Sequence, residues 1–131
     1  TLHAFDGRLL ILFQPHGFRP LQLMQAPLVE CFVENLGPED VLVMPEPVYY
    51  GGTVTRTVTS EDIVRGVVAR HRKAFAYADR AACGDKLAAL ARPGDRIVIM
   101  GARDDTLPEF AAELVQRLGA TMERETAPLR A

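Results

Sequence analysis

The sequence Arg-Leu-Leu-Ile-Leu-Phe-Gln-Pro-His-Gly-Phe-Arg, residues 8 to 19, decides how the rest of the chain is interpreted. It contains five consecutive apolar residues, Leu9 to Phe13, and then changes abruptly to polar and turn-forming residues. A short apolar run bounded by turn signals is typical of a strand that is buried on both faces of a parallel sheet. Gln14, His16 and Arg19 follow the carboxyl end of this predicted strand, where open α/β sheets bind their ligands.

Length and composition limit the kind of protein this can be. A chain of 131 residues has the size of one domain, so we expect residues 1–131 to form a single domain. The net charge is −2, and the basic residues are not gathered into a stripe, which argues against a nucleic-acid partner. No apolar run is long enough to span a membrane, and the first residues do not resemble a signal peptide. We therefore expect a cytoplasmic protein that binds neither nucleic acid nor membrane.

The two cysteines and three histidines give no sign of a metal site. Cys31 and Cys83 lie far apart, and no histidine accompanies either of them at the spacing of zinc ligands. We expect both cysteines to be reduced thiols, and we expect no metal ligand on this chain.

Strand and helix patterns alternate along the chain. Apolar runs predict strands at residues 8–13, 41–44, 74–78 and 96–100, and helical spacing predicts helices at residues 27–36, 60–71, 85–91 and 107–118. This order is typical of a three-layer α/β fold, a mostly parallel, Rossmann-like sheet with helices on both faces. We further predict that Gly119 ends the last helix and that residues 121–125 form an edge strand. If the sheet contains one antiparallel strand, we expect it there.

Smaller signals predict how individual elements begin and end. Thr59 with Asp62, and Thr106 with Glu109, have the spacing of capping boxes at the start of helices. His71 closes an apolar helical stripe, so we expect it to be a packing residue. Residues 1–7 resemble the last turn of a helix and its glycine exit, which suggests that a further element precedes them in a longer protein.

The predicted topology brings three connections together. Right-handed crossovers place every loop that leads from a strand into a helix at the same edge of the sheet. The loops at residues 14–19, 45–53 and 101–105 should therefore converge there. We predict that this edge binds a negatively charged group and that the binding residues are Gln14, His16, Arg19, Tyr50, Arg103 and Asp104.

Several catalytic motifs are absent from the sequence. It contains no Gly-x-x-x-x-Gly-Lys-[Ser/Thr] phosphate loop, no Gly-x-Gly-x-x-Gly dinucleotide fingerprint and no Gly-x-Ser-x-Gly nucleophile elbow. The absence of these motifs therefore argues against a self-contained kinase, dehydrogenase or hydrolase.

Four stretches, taken in order, resemble the C-terminal domain of the Mur ligases, in particular the UDP-N-acetylmuramate–L-alanine ligase type. They are the first strand with Gln14-Pro15-His16, residues 49–52 (Tyr-Tyr-Gly-Gly), residues 93–95 (Pro-Gly-Asp) with the following strand, and residues 101–104 (Gly-Ala-Arg-Asp) before a helix. Together they span most of the chain, and the first of them is the most specific.

The resemblance implies a role within a larger enzyme. Mur ligases use ATP to join an amino acid, here L-alanine or a similar one, to a UDP-muramyl precursor in peptidoglycan synthesis, through an acyl-phosphate intermediate. In that family an N-terminal domain holds the UDP-sugar, a central domain binds ATP and Mg²⁺, and the C-terminal domain closes over the substrates. The resemblance implies that this chain binds no cofactor alone, carries no catalytic residue and is inactive in isolation. It also implies that His16 and its loop face the amino acid and the precursor's carboxylate.

The sequence departs from the family pattern beside the histidine. Alanine-adding ligases carry arginines directly after it and three residues later, where this chain has Gly17 and Pro20, and Arg19 is out of register. The family's Asp-Asp-Tyr-x-His segment would lie before Thr1. The identity of the amino acid therefore stays open. Two alternatives also stay open: a stand-alone module that binds an anion or nucleotide without catalysis, and a dimer built through an exposed sheet edge.

Overall fold

Strands and helices alternate along the part of the chain that the structure describes. The computed structural model describes residues 7–47, 58–101 and 104–126, with side chains as far as residue 119. In chain order the elements are β1 (Leu9–Gln14), α1 (Phe18–Asn35), β2 (Val41–Pro45), α2 (Ser60–Ala69), β3 (Lys73–Tyr77), α3 (Arg80–Leu90), β4 (Arg96–Gly101) and α4 (Leu107–Thr126).

The four strands of the described residues form one parallel sheet in the order β3-β2-β1-β4. The register pairs Leu10 of β1 with Val41 of β2 and with Ile97 of β4. The chain adds strands outward from β1 to β3 and then returns to place β4 on the other side of β1. The direction in which strands are added therefore reverses between β1 and β4. Ligands bind at such a switch point in open α/β sheets. The predicted Rossmann-like α/β fold is confirmed.

The pleat of β1 divides the core into two layers. Leu9 and Ile11 point to one face of the sheet, and Leu10 and Leu12 point to the other. The first face is covered by buried side chains of α1, of its C-cap residue and of α2, namely Leu21, Phe32, Leu36, Ile63, Val64 and Val67. The second is covered by buried side chains of α3 and α4, namely Cys83, Leu87 and Leu114. Each fully buried aliphatic side chain contributes about 1.5–3 kcal/mol, which explains why the apolar run of β1 organises the fold.

Cys83 lies in the second layer as a packing residue. Its side chain is fully buried and forms no disulfide. Burial, with a smaller effect of the Asp79 carboxylate, raises the pKa of the Cys83 thiol to about 12. The thiol is therefore neutral at physiological pH and unreactive.

Two helices begin earlier than their apolar patterns predict. Helix α1 starts at Phe18 and contains Pro27 in its interior. Pro27 has no N–H to donate to the carbonyl of Leu23, one turn earlier. Both residues lie on the exposed side of the helix, where water can donate to that carbonyl instead. Helix α3 starts at Arg80 because the Asp79 carboxylate accepts a 2.8 Å hydrogen bond from the Ala82 N–H, which caps the helix.

The predicted end of the last helix is wrong. Helix α4 continues through Gly119 to Thr126, so residues 121–125 are helical and form no edge strand. Gly119 is exposed, and the residues after it, Ala-Thr-Met-Glu-Arg-Glu, include several strong helix formers. A glycine in an exposed helix costs only about 1 kcal/mol, which this context tolerates.

Of the two predicted capping boxes, one is present in the structure and the other is not. The Thr59–Asp62 box is present at the start of α2. At the start of α4, the Thr106 hydroxyl instead donates to Asp104 and accepts from Arg80, so the prediction for Thr106 and Glu109 is wrong.

His71 is also not a packing residue. It is exposed after the end of α2 and has a positive φ of 66°. The predicted helical turn at residues 1–6 lies outside the described residues. Within the described part of the chain, no helix combines the length and apolarity that a membrane span requires.

Candidate functional site

A cleft of about 610 Å³ opens at the carboxyl edge of the sheet. Its walls come from the ends of β1 and β2, from the start of α3, and from the residues before and within α4. The side chains that line it include Gln14, Glu46, Asp79, Arg80, Asp85, Asp104, Phe110, Glu113 and Arg117. The cleft therefore lies at the edge where the topology predicts a binding site.

Two of the predicted site residues meet in this cleft. The Gln14 side-chain amide at the end of β1 donates a 3.0 Å hydrogen bond to Oδ2 of Asp104, which precedes α4. The two residues are brought together because β1 pairs with β4 along its whole length, from Leu9 with Arg96 to Gln14 with Gly101. The sequence-based expectation that these two connections converge is confirmed for Gln14 and Asp104.

The Asp104 carboxylate is surrounded by donors. Oδ1 accepts from the Thr106 N–H at 2.8 Å and from the Thr106 hydroxyl at 2.5 Å. Oδ2 accepts from Gln14 at 3.0 Å and from Arg80 Nη1 at 3.3 Å. The hydrogen bonds from Thr106 and Gln14, helped by the Arg80 charge, hold the pKa of Asp104 far below its usual range. A carboxylate with each oxygen accepting twice has little capacity left for a ligand.

The lowered pKa of Asp104 predicts how stability changes in acid. A carboxyl whose pKa is depressed by folding stabilises the protein above its unfolded pKa of about 3.9, and this stabilisation is lost as the pH falls through the folded pKa. We expect Asp104→Asn to lower the urea midpoint at pH 7 and pH 5, and we expect the difference from the wild type to shrink steadily below pH 4. Urea unfolding between pH 2 and pH 7 measures this, and a difference that stays constant with pH would contradict it.

Arg80 is a member of this site that the sequence reasoning missed. Its Nη1 donates to Oε1 of Gln14 at 3.1 Å and its Nη2 donates to Oγ1 of Thr106 at 2.9 Å. The guanidinium also lies over the ring of Phe110, 5.1 Å from its centroid. The position of Arg80 in the sequence could have indicated this. Arg80 follows the third predicted strand, and the exit of that strand lies at the same edge as the loops at residues 14–19, 45–53 and 101–105.

His16 and Arg19 occupy a different part of the same edge. Both are exposed at the start of α1, and neither lines the cleft. Among the described residues, no hydrogen bond or ion pair involves either side chain. Helix α1 has no acidic residue in its first turn, and Gly17 provides no side-chain cap. Tyr50 and Arg103, the other predicted site residues, lie outside the described residues.

The cleft itself carries more negative than positive charge. Its lining includes the carboxylates of Glu46, Asp79, Asp85, Asp104 and Glu113 and the guanidinium groups of Arg80 and Arg117. Arg117 pairs with Asp85 across the gap between α3 and α4, at 2.8 Å. An anionic group is therefore favoured less in the cleft than at the start of α1, where Arg19 and the helix N–H groups are all positive.

The described residues offer no ready metal site. Within residues 7–47, 58–101 and 104–126, no three side chains of histidine, cysteine, aspartate or glutamate are grouped so that they could hold one metal ion.

Comparison with known proteins identifies UDP-N-acetylmuramate–L-alanine ligases among the relatives of this chain. UDP-N-acetylmuramate–L-alanine ligase of Dinoroseobacter shibae is 32% identical over 119 residues, which is 88% of this chain and 24% of the relative. The enzyme of the same name from Saccharopolyspora erythraea is 34% identical over 122 residues, 90% of the chain and 24% of the relative. That of Cereibacter sphaeroides is 33% identical over 120 residues, 88% of the chain and 23% of the relative. No family model matches the chain. The chain thus spans about a quarter of the length of these relatives.

Proposed function

Since the chain belongs to the Mur ligase family and corresponds to about a quarter of a UDP-N-acetylmuramate–L-alanine ligase, we propose that it is the C-terminal domain of such a ligase. The full protein would use ATP to join L-alanine or a similar amino acid to UDP-N-acetylmuramate, in the cytoplasm and as a step of peptidoglycan synthesis. This domain would close over the substrates and bind part of them.

One observation carries the proposal. The similarity to the ligases covers 88–90% of this chain, and the cleft lies at the carboxyl edge of its sheet. That edge holds Gln14, His16 and Asp104, which lie in two of the four stretches on which the resemblance rests. A site that is built at this edge supports a role in which the domain contributes binding groups to a shared active site.

The start of α1 is the part of this edge best suited to a carboxylate. Arg19 supplies a fixed positive charge with fork geometry, His16 supplies a ring N–H, and both residues lie at the amino end of the helix, where the helix dipole favours an anion. We propose that His16 and Arg19 orient the carboxylate of the amino acid or of the muramyl precursor. Such groups act by positioning and by stabilising charge.

Other domains of the same protein would handle ATP. The chain has no phosphate loop, and its described residues group no three side chains of histidine, cysteine, aspartate or glutamate around one point. The resemblance assigns ATP and Mg²⁺ to a central domain and the UDP-sugar to an N-terminal domain, and both are therefore proposed partners of this chain. The cleft residues of the present domain would complete the site when the domains close.

We expect the 131-residue chain alone to show no ATP hydrolysis above the background of a matched blank. The reason is that positioning groups cannot transfer a phosphoryl group without a phosphate cradle and its metal ion. Phosphate release by the purified chain, measured with and without UDP-N-acetylmuramate, tests this. ATP turnover that co-purifies with the chain through two orthogonal columns would contradict the proposed division of labour.

The test of the proposed site uses the full protein that carries this chain. We expect His16→Ala and Arg19→Ala each to lower kcat/KM for the preferred amino acid by about 100-fold, because a charge-assisted contact to a carboxylate is lost. Initial rates should be measured on a panel of amino acids. Arg65→Ala is the matched control, since Arg65 is 70% exposed on α2 and, within the described part of the chain, forms its ion pairs with neighbours on its own helix, Glu61 and Asp62. Kinetics of both variants equal to those of the control would remove His16 and Arg19 from the site.

A further inference from the structure

The position of Arg80 is not explained by the stability of its own helix. Arg80 is the first residue of α3, directly after the capping residue Asp79. A positive side chain is unfavourable at a helix N-terminus, where the backbone N–H groups already create positive potential. The first turn of α3 contains no acidic residue to compensate. The partners that stabilise the Arg80 guanidinium therefore lie on other elements.

Those partners tie three strand ends together. From the exit of β3, Arg80 donates to Oε1 of Gln14 at the end of β1, and to Oδ2 of Asp104 and Oγ1 of Thr106 after β4. Its side chain is only 27% exposed and rests on the ring of Phe110. A planar guanidinium can meet three acceptors at once in this way, and an ammonium group on a flexible stem cannot hold the same geometry.

The network also fixes which way the Gln14 side chain points. A guanidinium has only donors, so Gln14 must turn its carbonyl oxygen toward Arg80. Ionised Asp104 has only acceptors, so Gln14 must turn its NH₂ group toward that carboxylate. Gln14 therefore has a single orientation, with one amide hydrogen and one carbonyl lone pair left for a ligand. Without Arg80, both orientations of the carboxamide become accessible.

We propose that Arg80 is a positioning residue of the substrate site, which acts through Gln14 by fixing the orientation of its carboxamide and by holding the exits of β1 and β4 together. The identity of the substrate in this inference rests on the proposed function. The hydrogen bonds of Arg80 do not depend on it. Arg80 orders binding groups before the substrate arrives, and such preorganisation mainly affects substrate binding.

The first test is kinetic and uses the full ligase. We expect Arg80→Ala to raise KM for the amino acid or for UDP-N-acetylmuramate about tenfold, with kcat changed less than about threefold. Arg80→Lys should behave like Arg80→Ala, because charge alone cannot hold three acceptors. In a Gln14→Ala background, Arg80→Ala should have little further effect, since the two residues act as one unit. Arg65→Ala is again the control. Full rescue by lysine, or effects of Gln14→Ala and Arg80→Ala that multiply, would overturn the proposal.

The second test does not depend on ligase activity. In the chain labelled with ¹⁵N, we expect the side-chain NH₂ resonances of Gln14 to shift in Arg80→Ala and to stay in place in Arg65→Ala. Unchanged Gln14 resonances in Arg80→Ala would overturn the inference about Arg80 even if the ligase is active. Shifted resonances, together with no ligase activity in the full protein that carries this chain, would contradict the proposed function and leave the positioning role of Arg80 supported.

Discussion

Gly101→Ala is expected to destabilise the protein by more than about 3 kcal/mol, which is enough to unfold much of a domain of ordinary stability. Gly101 ends β4 with φ +130°, a conformation that residues with a side chain rarely adopt. A Cβ added there would lie 2.0 Å from the backbone oxygen of Gln14 and 2.7 Å from its backbone nitrogen. Backbone atoms in a paired strand cannot move aside as a side chain can, so β1 and β4 would have to separate at the site.

Two other glycines provide matched controls for Gly101→Ala. Gly94 also has a positive φ, +95°, but nothing lies within 4 Å of an added Cβ, so Gly94→Ala should cost only about 1 kcal/mol of backbone strain. Gly119 lies in α4 with open space around it, and Gly119→Ala should stabilise the protein by about 0.5–1 kcal/mol. Urea unfolding followed by circular dichroism measures all three variants. A Gly101→Ala protein as stable as Gly94→Ala would contradict the close approach of the two strands.

Arg8→Ala is expected to lower the free energy of unfolding by about 3 kcal/mol, because it leaves a nearly buried carboxylate without its counter-ion. Arg8 Nε and Nη2 donate to the two oxygens of Asp95 at 2.9 and 3.0 Å, and Nη2 also donates to the carbonyl of Leu90. The side chains of Arg8 and Asp95 are only 13% and 6% exposed. This pair joins the start of β1 to the turn that leads into β4.

A double-mutant cycle separates this pair from ordinary surface charge. Arg8→Ala with Asp95→Ala should cost less than the sum of the two single changes, since the second change removes the unpaired charge that the first creates. The exposed pair of Arg65 and Glu61 should contribute at most about 0.5 kcal/mol in the same cycle. Additive effects of Arg8→Ala and Asp95→Ala would show that their interaction contributes little.

Much of the fold could be predicted from the sequence because strands buried on both faces leave a strong local signal. The apolar run of β1 and the alternation of strands and helices predicted the parallel sheet correctly. Helix boundaries were less predictable where the decisive contact is local and polar, as for Asp79, which starts α3 ahead of its apolar stripe. The continuation of α4 past Gly119 depends on helix propensity outweighing a stop signal, which no single residue reveals.

The candidate site was predicted only in part for a related reason. Gln14 and Asp104 could be placed together because strand order brings their connections to one edge. Topology would also have placed Arg80 at this edge, because it follows the third strand, but its hydrogen bonds to β1 and to the residues after β4 are long-range and leave no local pattern that singles it out. The apolar stripe suggested that α1 starts at Pro27, but the helix begins nine residues earlier, at Phe18. This early start places His16 and Arg19 beside the helix terminus and away from the cleft.

The most direct test of the account measures ADP formation by the full protein that carries this chain. With ATP, UDP-N-acetylmuramate and an amino acid present together, the account predicts steady ADP release, stoichiometric with an amide product. Omission of either acceptor substrate should reduce that release to background. Release that is independent of both the amino acid and UDP-N-acetylmuramate, or no release with any amino acid tested, would contradict the assignment of this domain to a UDP-N-acetylmuramate ligase.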